Sequence, residues 1–113
     1  MKSISRQQSI NAATQGFLVA IQQEPNLRIH LCLAFIACML GWLSQFLLWQ
    51  WALLIITISA VICIELLNTA IEYLADVVSP GINPKIKLIK DIAAAAVLFA
   101  SFAALCIGMI LYF

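Results

Sequence analysis

Five polar side chains, Glu65, Asn68, Thr69, Glu72 and Asp76, recur at steps of one to four residues within the stretch IELLNTAIEYLADVV. On a helix each residue advances about 100°, so Glu72 and Asp76 fall within about 20° of Glu65, Thr69 within about 40° and Asn68 within about 60°. The five form one stripe, roughly 16 Å long at the helical rise, while Ile64, Leu66, Leu67, Ile71, Tyr73, Leu74 and Val78 cover the remaining surface. Grouped carboxylates repel one another, so either some hold protons or a cation neutralises them. An oxygen-only donor set suits a hard ion, magnesium above all, which takes one or two carboxylates and completes its shell with phosphate and water. Such a site points to a phosphate or nucleotide ligand, with Arg28, Lys87 and Lys90 as cations for its anionic oxygens. Neither a G-x-x-x-x-G-K-[ST] loop nor a kinase-type glycine loop is present.

The chain around this stripe is oily. Of its 113 residues, 65% are apolar and 10% charged, and the mean hydropathy is +1.06. A soluble domain is about half apolar and a quarter charged, and one this small cannot hide so much apolar surface. The composition therefore describes a membrane protein. A carboxylate facing lipid costs at least a few kcal/mol, so the stripe must face protein, water or a bound cation. A solvated helix end is the plain alternative, but the rest of that helix is too apolar to sit freely in water. The net charge of +1 gives no case for nucleic acid. Cys32, Cys38, Cys63 and Cys106 lie in apolar runs without zinc-ligand spacing and read as buried, inert thiols. The N-terminus lacks signal-peptide order, so the first membrane segment is expected to be retained.

The expected architecture is all-α: an amphipathic surface helix over about residues 4–22 and spans over about 27–46, 48–78 and 86–112, in a single domain over 1–113. Ile10, Ala13, Phe17 and Ile21 make the apolar stripe of the surface helix. Pro25 bends the chain at Glu24, with Asn26 as a cap for the next helix. SPGINP breaks the chain before the third span, whereas the link between the first two is poorly marked, with Trp49 and Trp51 suited to an interface belt. All six basic residues, Lys2, Arg6, Arg28, Lys85, Lys87 and Lys90, fall on one side. The positive-inside rule puts that side, and the N-terminus, in the cytoplasm and the C-terminus outside. The acids sort the same way, which gives a metal or phosphate site at the cytoplasmic face of a small helix bundle.

The residues ELLNTAIEYLAD, Glu65 to Asp76, resemble the signature of the prokaryotic diacylglycerol kinase family, which includes undecaprenol kinases. SINAATQG, with Ser9, Ala13 and Gly16, is similar to the family's surface-helix motif. EPNLRIH and PKIKLIKDIAAAAV, the latter with Pro84, Lys87, Lys90 and Asp91, are similar to its openings of spans one and three. The resemblance implies a homotrimer in the bacterial inner membrane, each subunit a surface helix plus three spans, with sites between subunits at the cytoplasmic face. It implies transfer of the ATP γ-phosphate to the hydroxyl of a membrane lipid alcohol. By motif, Glu65 is then the general base, Asn68 orients groups near the reacting centre, and Glu24 and Glu72 bind magnesium with the nucleotide. Asp76, Lys90 and Asp91 help hold ATP, and Gly16, Arg28 and Glu65 meet the acceptor. NLRIH, IELLNTAIE and a KDIAAAAV without glycine after Asp91 favour undecaprenol over diacylglycerol. Ala75 stands where the family usually has valine, and the 79–84 loop lacks the acidic and histidine residues common there. His30, where the diacylglycerol branch tends to have an acid, reads as a packed or interfacial residue.

Two other classes remain open at this point. A small ion-coupled transporter would favour acids near the bilayer midplane, whereas these cluster inward. A non-enzymatic membrane subunit would use the stripe for helix assembly and show no magnesium or nucleotide dependence.

Overall fold

A computed structural model describes residues 5–113, and all of its regular structure is helical. Lys2 and Ile4, which the sequence reading used, lie outside the described residues. The helices are α1 (Arg6–Gln23), α2 (Pro25–Leu43), α3 (Leu48–Val78) and α4 (Pro84–Tyr112). The last three are long and apolar enough to cross a membrane. Helices suit that solvent because they satisfy their own backbone hydrogen bonds.

Each helix start has a local cause. Ser5 and Gln8 form a reciprocal capping box on α1, with contacts of 3.0 and 3.2 Å. Proline sits at the first position of α2 and of α4, where its missing N–H is harmless and its φ is already helical. Glu24, extended at φ −115°, is therefore the cap residue of α2. Asn26, expected to cap, lies inside that helix. Asn83 caps α4 by accepting from the Lys85 N–H at 2.9 Å.

The end of α2 differs from the sequence reading, which carried the span to about residue 46. The helix stops at Leu43 because the chain closes a Schellman turn. Phe46 N–H donates to the Gly41 carbonyl at 3.1 Å, and Gln45 N–H donates to that of Trp42 at 3.1 Å. Gln45 supplies the left-handed residue, at φ 56°. Phe46 then packs over Gly41, where an added Cβ would meet its ring at 3.0 Å and Trp51 at 3.2 Å. Phe46 also stacks on Trp51 and Tyr112, with centroids 5.6 and 5.0 Å away. The Tyr112 hydroxyl donates to the Ala37 carbonyl, so this cluster joins α2, α3 and α4 at one end of the bundle.

Helix α3 packs most extensively on α4, then on α2, while α1 lies against α2 and α3. The molecule is a slab only 22 Å thick, with a radius of gyration of 16.9 Å. A closed soluble domain of this length would have about 13 Å. Large apolar side chains such as Phe35, Trp42, Leu98, Phe99 and Phe102 are exposed along the spans. Cys32, Cys63 and Cys106 are exposed too, a correction to the expectation of buried thiols: they lie on helix faces that the single chain leaves uncovered.

Left-handed backbone at a non-glycine residue costs about 1–2 kcal/mol. Gln45 is exposed, so Gln45→Gly is expected to stabilise the fold by about 1 kcal/mol and Gln45→Val to destabilise it. Thermal unfolding in detergent micelles, read by circular dichroism, would check both.

Candidate functional site

The 31 residues of α3 span about 46 Å, against a hydrocarbon thickness of about 30 Å. Counted from Leu48, Glu65 lies about 26 Å along the axis and Glu72 about 36 Å. With the tryptophan end at one membrane edge, Glu65 falls within the hydrocarbon and Glu72 beyond it.

Glu65 is only 2% exposed, and Thr69 is buried beside it. Thr69 turns its hydroxyl back onto the Glu65 backbone carbonyl at 3.0 Å, which satisfies that donor within the helix. The Glu65 carboxylate has a different neighbour. His30, on α2, puts Nε2 3.2 Å from Oε1. The approach is close but lacks hydrogen-bond alignment, so Oε1 is buried without a hydrogen-bond donor among the described residues. Asn68 Nδ2 donates to Glu72 Oε1 at 3.0 Å, while Asn68 Oδ1 is buried and unpaired.

Glu24 stands at the elbow between α1 and α2, half-buried. Burial first, then the charges of Glu72 and Glu65, raise its pKa above the ordinary 4.5. Glu24 therefore shares one electrostatic neighbourhood with Glu72 and Glu65. Among the described residues no three acids, histidines or cysteines converge closely enough to cage a metal. What remains is a pair of carboxylates, Glu24 within electrostatic reach of Glu72, with the Asn68 side chain hydrogen-bonded to Glu72. That donor set fits magnesium, which usually draws the rest of its shell from phosphate and water.

Three of the basic residues are engaged with protein groups. Lys90 Nζ donates to Asp76 Oδ1 at 2.6 Å and ties the start of α4 to the end of α3. Lys87 pairs with Asp91 one turn along α4, at 2.7 Å and well exposed. Arg28 Nη1 donates to the carbonyls of Ile21 and Gln22 at 3.1 and 3.2 Å. Its charge there meets the negative end of α1 and fixes the elbow that carries Glu24.

Two apolar grooves flank the stripe. One, of about 440 Å³, lies between α1 and α3 and is lined by Ala13, Gly16, Phe17, Thr69 and Tyr73. The other, of about 810 Å³, runs among α2, α3 and α4 from His30 to Tyr112 and Phe113.

The structure thus gathers Glu24, Glu65, Asn68 and Glu72 at one end of the bundle, with Asp76 and Lys90 joined nearby and Gly16 on a groove wall. Arg28 contacts α1 carbonyls, and the polar partner of Asp91 is Lys87. His30, which the sequence reading takes as packed or interfacial, is the residue whose contact with Glu65 it did not foresee. The available signal was its cost: a histidine within a membrane span needs a polar partner at its own depth, and Glu65 is the acid there.

Comparison with known proteins identifies the family. A family model described as prokaryotic diacylglycerol kinase matches residues 11–112. The undecaprenol kinase of Bacillus subtilis (strain 168) is 29% identical over 100 residues, covering 88% of this chain and 81% of that protein. The family match covers α2, α3, α4, most of α1 and every site residue named above, and the chain belongs to the prokaryotic diacylglycerol kinase family, as a multi-pass membrane lipid kinase.

Proposed function

We propose that this protein transfers the γ-phosphate of ATP to the hydroxyl of a membrane lipid alcohol, undecaprenol rather than diacylglycerol. The carrying observation is a buried Glu65 set within the apolar span, in line on one helix with Glu72, which sits beside Glu24. The undecaprenol kinase relative supports the choice of acceptor. In this reading the hydroxyl proton passes to Glu65 as the hydroxyl oxygen attacks the γ-phosphorus, and the bond to the β–γ bridging oxygen breaks to leave ADP. Asn68 and Glu72 hold the phosphate end. Asp76 and Lys90 meet the nucleotide after exchanging their mutual ion pair, and Asp91 lies next to them on α4. Gly16 and Arg28 border the acceptor side. Magnesium, when bound at Glu24 and Glu72, neutralises phosphate oxygens, and positioning and neutralisation supply most of phosphoryl-transfer catalysis.

The same reading places the charged end at the cytoplasmic face of the bacterial inner membrane, with the N-terminus inside. It makes the working unit a homotrimer. The uncovered apolar faces and the half-complete carboxylate site support that assembly, since a neighbouring subunit can cover the former and enclose the latter.

Purified protein in lipid vesicles, given magnesium, labelled ATP and either undecaprenol or diacylglycerol, tests the proposal. Labelled undecaprenyl phosphate is expected, and transfer to neither lipid by folded protein would refute it. Glu65→Gln is expected to lower kcat by about 10²- to 10⁴-fold while sparing nucleotide binding. Glu72→Gln is expected to weaken magnesium–nucleotide binding by roughly 10- to 100-fold.

A pH dependence also follows from Glu24. Its folded-state pKa is raised, so the folded protein holds a proton that the unfolded chain has already lost. Metal-free stability should therefore fall as pH rises from about 4.5 through the raised pKa. Magnesium competes with that proton, so its apparent affinity should rise over the same interval. Thermal midpoints measured across pH with and without magnesium would show the two trends as curves that coincide at low pH and diverge as pH rises.

A further inference from the structure

The kinase reading leaves His30 without a task. It is the single histidine of the chain, and its Nε2 lies 3.2 Å from the Glu65 carboxylate that the reaction uses as base. Oε1 of that carboxylate is buried and has no hydrogen-bond donor among the described residues. Glu24 lies within electrostatic reach of Glu65 and offers it no donor, and the Asn68 amide nitrogen is committed to Glu72. His30 is thus the nearby side chain able to hold it.

A second, independent observation concerns the larger groove. Its α3 wall includes Leu54, Ile58 and Val61. Those positions precede Glu65 by steps of four and three residues, so all four share one face of the helix. His30 closes the same groove from α2. A long apolar chain lying there would bring its head group to the His30–Glu65 pair.

We propose that His30 is a positioning residue for acceptor activation: its ring, 3.2 Å from Oε1 of Glu65, turns to donate Nε2–H to that oxygen when the acceptor binds, so that Oε2 meets the hydroxyl of a lipid alcohol whose tail lies between α2, α3 and α4. This rests on the kinase reading above. In the step served, the proton moves from the hydroxyl to Oε2, one oxygen–phosphorus bond forms at the γ-phosphorus, and the bond to the bridging oxygen of ADP breaks. His30 itself neither gains nor loses a proton. Its contribution is geometric, because a displacement of about 1 Å at a reacting group can cost 10²-fold in rate.

The test compares wild type, His30→Leu, His30→Gln and Ala34→Trp in vesicles containing undecaprenol, with magnesium and ATP. His30→Leu should lower kcat by about 10²-fold with an unchanged KM for ATP. His30→Gln, whose amide nitrogen reaches the place of Nε2, should return kcat to within about threefold of wild type. Ala34 lines the groove one turn from His30, and Ala34→Trp should raise the KM for undecaprenol without altering that for ATP. Wild-type kcat in His30→Leu, or a folded His30→Gln with kcat down by more than about tenfold, would overturn the role of His30. An unchanged undecaprenol KM in Ala34→Trp would overturn the placement of the tail. Absence of transfer by wild-type protein to any lipid alcohol would instead sink the kinase reading itself.

Discussion

A carboxylate buried at hydrocarbon depth is the constraint that organises this molecule. Left facing acyl chains, Glu65 would be expensive to keep ionised, and removing its partners would leave an uncompensated buried charge. The surrounding structure answers on several sides. Thr69 turns its hydroxyl back into the helix and adds no loose donor. His30 brings a ring nitrogen from α2 to 3.2 Å. Asn68 and Glu72 bind each other one turn further along, outside the apolar layer. The polar stripe is tolerable because α2 and the elbow at Glu24 cover it.

That cover depends on the opposite end of the bundle. The turn at Gln45 folds Phe46 back over Gly41, and the Phe46, Trp51 and Tyr112 rings lock α2, α3 and α4 together there. Tyr112 bonds the Ala37 carbonyl on α2. At the charged end α2 meets α3 through His30 and Glu65, and α3 meets α4 through Asp76 and Lys90. Between these fastened ends α2 and α4 stand apart, which leaves the long apolar groove. The same brackets that hold the carboxylates therefore shape a space in which a chain molecule can lie.

Periodicity made half of this legible in the sequence. A helix of fixed pitch sends residues 65, 68, 69, 72 and 76 to one face, and SPGINP and EPN mark the breaks because proline and glycine act locally. Contacts between distant residues left no such mark. Arg28 was free to reach phosphates on paper, yet it caps α1. His30 and Glu65 are 35 positions apart (65 − 30) and meet only once α2 and α3 pack. The end of α2 was obscure because Gln45, not glycine, takes the left-handed position. Cysteine exposure was hidden for another reason: composition says that a span is apolar, not which face a neighbour covers.

One rigid helix also explains how so small a chain can serve two solvents. Seven residues separate Glu65 from Glu72, about 10 Å at the helical rise. That distance carries the stripe from the apolar stretch of the helix to its polar end. A loop would bridge the same gap with several soft dihedrals, and each would blur the alignment that in-line transfer requires. In α3 the spacing is fixed by backbone hydrogen bonds that lipid strengthens rather than competes for. The overlong third helix is thus a ruler, with the buried Glu65 carboxylate at one graduation and the Glu72 carboxylate two turns along at another.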